Sequence, residues 1–151
     1  MSEPANRTRV PMVGRDRTRT PVLPMKYDPD RAPDSQAWLR LDEDEALHLV
    51  ESYHKRSRIR LPNADLHAVF HVTVENQIAM GEAVVITTLK RLQREGLSRH
   101  DAIHAIAFVL AAHMHDLVSN EVPPAGDPNE AYFAELRRLT VERWYRQAEE
   151  P

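Results

Sequence analysis

The chain has no cysteine. A disulfide framework is therefore excluded, and so is a thiolate metal site; any metal must be held by imidazole, carboxylate, carbonyl or water. Apolar runs are short: none approaches the roughly 20 residues of a membrane span, and the N-terminus lacks the apolar core of a signal peptide. A large excess of charge of one sign is missing too, since a formal net charge of -3 gives no global pull toward nucleic acid or an anionic membrane. No segment sustains the period-two alternation of a half-buried strand, so no sheet is expected. With 42% hydrophobic and 28% charged residues over 151 positions, the composition fits one soluble domain, expected in the cytoplasm.

Glycine is scarce, four against eleven prolines, and the prolines are unevenly spread, with more than half before residue 34. The first forty residues are thus a different polymer from the rest. Arg7, Arg9, Arg15, Arg17, Arg19 and Lys26 alternate with Thr and Pro, without apolar periodicity and without interleaved aromatics. Such a stretch buries too little surface to offset its ordering entropy. YDPDRAPDSQAW (Tyr27 to Trp38) is acidic and broken by proline, which predicts an extended segment anchored by its two aromatic ends. The expectation is an all-α protein: an extended, Pro/Arg-rich arm over residues 1–40, then a single bundle of about five helices over 41–151.

The helix signals after residue 40 are local and specific. Asp42 and Glu45 form a capping box for a first helix whose apolar stripe is Ala46, Leu49 or Val50, and Tyr53. On that reading His48 and His54 fall on a boundary and an exposed side, as surface histidines. Asn63 caps a second helix from Ala64 to about Met80, apolar nearly all round and therefore central, ended by Gly81. A third runs from about Glu82 to Glu95 and stops at Gly96; Ser98 begins a fourth, Arg99 to about Ser119. The last starts with Asp127 as cap and Pro128 in its first turn, and lines its buried side with Phe133, Leu136, Thr140 and Trp144.

The chemistry sits on the second and fourth helices. HAVFH and HDAIH place His67 with His71, and His100 with His104, four residues apart, so each pair shares a helix face with Cβ atoms about 6 Å apart. This is a metal-ligand spacing. Two glycine turns in succession predict that the two helices run parallel, with both pairs in their first two turns and level with one another. His100, His104, Ala107, Ala111 and His115 share one stripe, whose alanines allow close approach. Glu75 lies one turn beyond His71. The candidate ligands are therefore His67, His71, Glu75, His100 and His104, and the ion a transition metal, zinc first, with iron, nickel and copper compatible. His113 and His115 stay outside this set.

The run HAVFHVTVENQ followed by RLQREGLSRHDAIHAI, with the lead-in YDPDRAPDSQAWLRLDEDE, resembles a bacterial family of small helical proteins classed as a domain of unknown function. The resemblance implies a helical domain in which the paired histidines matter, and no activity. The dipeptide His100–Asp101 is similar to that of HD-type metal-dependent phosphohydrolases, although Asp101 has a capping role of its own and no basic phosphate site accompanies it. Three readings follow. The first is a helical metal-binding protein. The second is a metal-dependent hydrolase with Glu75 or Asp101 as general base to a metal-bound water. The third is an interaction module whose basic arm engages an acidic protein or nucleic acid. A protein partner or a second copy of the chain is compatible with each, and no membrane is implied.

Overall fold

The computed structural model describes residues 25–57, 63–120 and 125–149, and all regular structure among them is helical. The arginines of the N-terminal stretch, the end of the basic run after Ser57, and Pro62, Pro123 and Pro124 lie outside the described residues. Seven helices follow in order: α1 (Ser35–Leu39), α2 (Glu43–Arg56), α3 (Ala64–Ala79), α4 (Ala83–Arg94), α5 (Arg99–Ser119), α6 (Glu130–Arg138) and α7 (Val141–Glu149).

The caps explain most of these boundaries. Asp42 accepts the Glu45 N–H at 2.8 Å while the Glu45 carboxylate accepts the Asp42 N–H at 2.9 Å, closing the capping box of α2. Asn63 caps α3 and Ser98 caps α5, through the N–H groups of Leu66 and Asp101. The helices α3 and α4 end alike. Gly81 donates to Ile78 and Glu82 to Gln77, and Gly96 donates to Gln93 and Leu97 to Leu92. This double pattern needs positive φ at the glycine, which is 82° at Gly81 and 113° at Gly96.

Two expectations are corrected. The stretch from Tyr27 to Trp38 is anchored at both ends, with the two residues 2% and 1% exposed. It is not extended throughout, because Asp34 accepts the Ala37 N–H and starts α1. The Trp38 indole then donates to Asn76 of α3 at 2.8 Å. The single helix expected at the C-terminus is two helices, α6 and α7, and α6 begins at Glu130 with Asn129 as its cap residue. The break has a cause on α4. The Arg91 guanidinium donates to the freed carbonyls of Leu136 and Leu139, and the Glu95 carboxylate accepts the Val141 N–H at 2.9 Å. Thr140 adds a local cap to Arg143. Both ends at the corner are satisfied by neighbours, so the chain bends there without leaving buried orphan groups.

Two apolar clusters form the core. One joins α4, α5 and α6 around Val85, Leu92, Ile103, Ile106 and Leu136, with Val74 from α3. The other joins Tyr27, Trp38, Ala46 and Val50 to Ala68 and Val72, also from α3. The expected central position of this helix follows from its membership of both. The helix α5 is long and apolar enough to cross a bilayer by length and composition. Its apolar residues Ala102, Ile103, Ile106 and Leu110 are instead packed into the first cluster.

Gly81→Ala forces a Cβ into positive φ, although nothing lies within 4 Å of where it would sit. The strain alone should cost about 1–2 kcal/mol, read as a lower urea midpoint with an unchanged slope.

Candidate metal centre

Three helices carry histidines to one place. His54 lies in the last turn of α2, His67 and His71 in the first half of α3, and His100 and His104 in the first two turns of α5. Their rings touch. The closest centroid pairs are His100 with His104 at 4.1 Å, His67 with His104 at 4.5 Å and His54 with His67 at 4.9 Å. Ring nitrogens face one another as well: Nε2 of His54 is 3.1 Å from that of His100 and 3.4 Å from that of His104, and Nε2 of His104 is 3.1 Å from that of His67. One donor atom from each of His54, His67, His71 and His104 lies within 4.8 Å of every other.

The tautomers of two rings are set by their outer partners. His54 donates Nδ1–H to the Val50 carbonyl at 2.7 Å; a carbonyl only accepts, so its Nε2 carries a lone pair. Tyr27 donates its single hydroxyl proton to Glu75 at 2.6 Å. The contact of 2.7 Å between that hydroxyl and His71 Nε2 therefore has His71 as donor, which leaves the lone pair on Nδ1. This Nδ1 belongs to a side chain with 0% exposure and is without a hydrogen-bond partner. Orphaned buried acceptors are rare. A histidine whose far nitrogen donates outward while its near one stays unpaired is the arrangement of a metal ligand held by an outer partner. Among the described residues two other buried side-chain atoms lack partners, His113 Nε2 and Gln147 Oε1, and both residues line a groove between α5, α6 and α7 away from the cluster.

Behind His71 stands a buried ion pair. Arg99 Nη1 and Nη2 donate to the two oxygens of Glu75 at 2.7 and 2.9 Å, and Nη1 also donates to the Pro29 carbonyl at 2.8 Å. Burial works against the Arg99 charge, but the hydrogen bonds and charge of Glu75 outweigh it and raise its pKa. Burial first, and then the Glu75 charge, raise the Tyr27 hydroxyl far above its ordinary pKa, so it remains a donor to the carboxylate. Tyr53 closes the cluster on another side, edge-on to His54 and His100 at 5.8 and 5.4 Å.

The site departs from the sequence reading in three respects. His54, taken for a surface histidine, is 5% exposed and inside the cluster. It continues the buried face of Ala46 and Val50 at four-residue steps, a signal present in the sequence but passed over because the residue is polar. Glu75, expected as a ligand, has both oxygens occupied by Arg99 and Tyr27. It acts on His71 through the tyrosine. The two pairs do meet, but not as level pairs on parallel helices. Glu75 contacts Arg99, His71 contacts His100 and His104, and His67 contacts His104, so later residues on α3 meet earlier ones on α5. Asp101 and Asp116 are exposed and do not join the site, His48 and His115 lie at the surface, and His113 stacks on Tyr132.

Burial favours the neutral form of the His67, His71, His100 and His104 imidazoles. Burial lowers the His67 pKa to about 4 and that of His104 to about 2, with neighbouring imidazoles adding to the effect. His71 is lowered by burial and then by the other four rings. Burial and His54 lower His100 against the pull of Asp30, Asp101 and Asp28. Neutral rings keep their lone pairs, which is the state a metal needs.

Set against known proteins, the chain matches no family model, no curated protein and no solved structure. Its function has to be read from this site.

The lowered values give a pH prediction for the metal-free protein. Above about pH 6.5 neither state protonates these rings, and the stability they allow is fully present. As the pH falls through that value the unfolded chain takes up protons that the folded cluster refuses. Stability should then drop by up to about 1.4 kcal/mol per pH unit for each ring that stays neutral. The loss should steepen below pH 6.5 and ease once His67 protonates in the folded state near 4. Urea midpoints with a chelator present, taken from pH 7.5 down to 4.5, check the sign and the slope.

Proposed function

We propose that this chain is a helical metal-binding protein in which His54, His67, His71 and His104 hold one first-row transition ion through neutral imidazole. The convergence of four ring nitrogens carries the reading, above all the buried Nδ1 of His71, which has no hydrogen-bond partner. Four nitrogens placed tetrahedrally at about 2.0–2.1 Å from zinc lie about 3.3 Å from one another. Among the four ligands, Nε2 of His104 is 3.4 Å from that of His54 and 3.1 Å from that of His67, and all four donor atoms lie within 4.8 Å of one another, so the rings need only close in on an ion. An all-imidazole donor set suits zinc, copper, nickel and iron and disfavours calcium and magnesium; the tetrahedral fit puts zinc first.

The donor set favours holding an ion over turning over a substrate. A hydrolase needs a base beside the metal and a cleft leading to it. Glu75 is locked by Arg99 and Tyr27, and Asp101 is exposed. The groove of about 400 Å³ beside α1 is lined by Trp38, Ala46, Val69 and Met80 and by none of the cluster histidines.

Untagged protein should carry about one equivalent of metal by plasma mass spectrometry, and the stripped protein should take up one equivalent of zinc, or of cobalt with tetrahedral visible bands. His54→Ala and His71→Ala should each weaken zinc binding by more than about 100-fold, beyond what losing an outer partner costs. His115→Ala should leave it unchanged. A stripped protein that binds zinc no more tightly than roughly 1 mM would overturn the reading.

A further inference from the structure

Resting on the metal-binding reading, we infer that the segment Met25–Asp34 and the metal site are one thermodynamic unit. Tyr27 is a positioning residue for His71, and an ion in the site and docking of this segment each strengthen the other.

The segment reaches α3 and α5 at three points around the histidine cluster. The Tyr27 oxygen accepts His71 Nε2–H at 2.7 Å and passes its own proton to Glu75 at 2.6 Å. The Pro29 carbonyl accepts from Arg99 at 2.8 Å. The Asp30 carboxylate accepts the backbone N–H of His100 at 3.1 Å, in the first turn of α5. The segment precedes α1 and forms no helix, and its internal bonds are one turn, Arg31 N–H to the Asp28 carbonyl and Asp30 N–H to the Asp28 carboxylate; Met25 and the Tyr27 ring pack into the second apolar cluster, the tyrosine against Trp38 at 5.2 Å. Tyr27 and Pro29 are its buried residues. Its polar docking contacts, by contrast, are those around the site.

An ion bound at His71 Nδ1 withdraws electron density from the ring and makes Nε2–H a stronger donor, so the bond to Tyr27 tightens when the site is filled. This is the differential interaction that coupling requires. Conversely, the docked tyrosine holds the ring in the one tautomer that presents Nδ1. Without it either nitrogen can carry the proton, and the ring is free to turn. The two effects are a single coupling factor seen from its two sides.

The test uses the full chain and Tyr27→Phe, which keeps the ring and removes the hydroxyl. Zinc affinity should fall by about 10–100-fold. In the metal-free form, long-range nitrogen–proton NMR should show His71 wholly as the Nε2–H tautomer in the wild type and as a mixture in the variant, a change that loss of packing alone does not produce. Zinc should slow amide exchange in the segment, at Arg31 for example, in the wild type, and do so much less in Tyr27→Phe. Asp30→Ala loosens docking without touching His71; it should weaken zinc binding by less than about 10-fold and leave the tautomer intact, and it tests the coupling even if Tyr27→Phe folds poorly. A folded Tyr27→Phe that binds zinc as the wild type does overturns the positioning role. Zinc bound tightly with no change in exchange of the segment overturns the coupling. A wild type that binds no zinc overturns the metal reading itself, a result distinct from both.

Discussion

The buried pairing of Glu75 with Arg99 is the interaction on which the site depends. A carboxylate 1% exposed and a guanidinium 6% exposed persist away from water because each is nearly saturated. The guanidinium makes two bonds to the carboxylate and one to the Pro29 carbonyl, and the carboxylate takes Tyr27 as well. Charge-assisted, bidentate geometry is the case in which burial of two ions is tolerated. The pair also fixes how α3 and α5 meet. It ties the later turns of α3 to the first residue of α5, and one turn back along α3 this brings His71 against His100 and His104.

Because Glu75 and Arg99 neutralise each other, neither offsets the charge of an ion at the histidines. Four neutral imidazoles leave a divalent ion with its full formal charge. The acidic groups acting on this region are Asp28, Asp30 and Asp101, which oppose the lowering of the His100 pKa. His100 is thus the point where the apolar, neutral cluster borders negative charge. Its Nε2 is 3.1 Å from that of His54.

Local signals made much of this legible in advance. The caps at Asp42, Asn63 and Ser98, the glycine stops at 81 and 96 and the central place of α3 follow from short-range rules, and the shared face of each histidine pair follows from helical spacing. What escaped the sequence depends on partners far along the chain. The order in which α3 and α5 meet is set by an ion pair 24 residues apart, which spacing does not reveal. The corner between α6 and α7 is capped by Arg91 of α4 and by Glu95 just after it, so its local sequence reads as one continuous helix. The role of Glu75 was misjudged for the same reason, since a carboxylate near histidines reads as a ligand until its cationic partner is known. His54 is different: its place eight residues after Ala46 was visible, and treating polarity as exposure hid it.

The position of His54 in the last turn of α2 gives an ion there the character of a cross-link. His54 and His104 are 50 residues apart, and His67 and His71 lie between them. Bonds from one ion to these rings would tie three helices at a common knot and remove a long loop from the freedom of the unfolded chain, as a disulfide does in chains that have cysteine. For a chain with none, such a bond is reversible and answers to the supply of free metal. The folded population would then follow metal concentration by mass action.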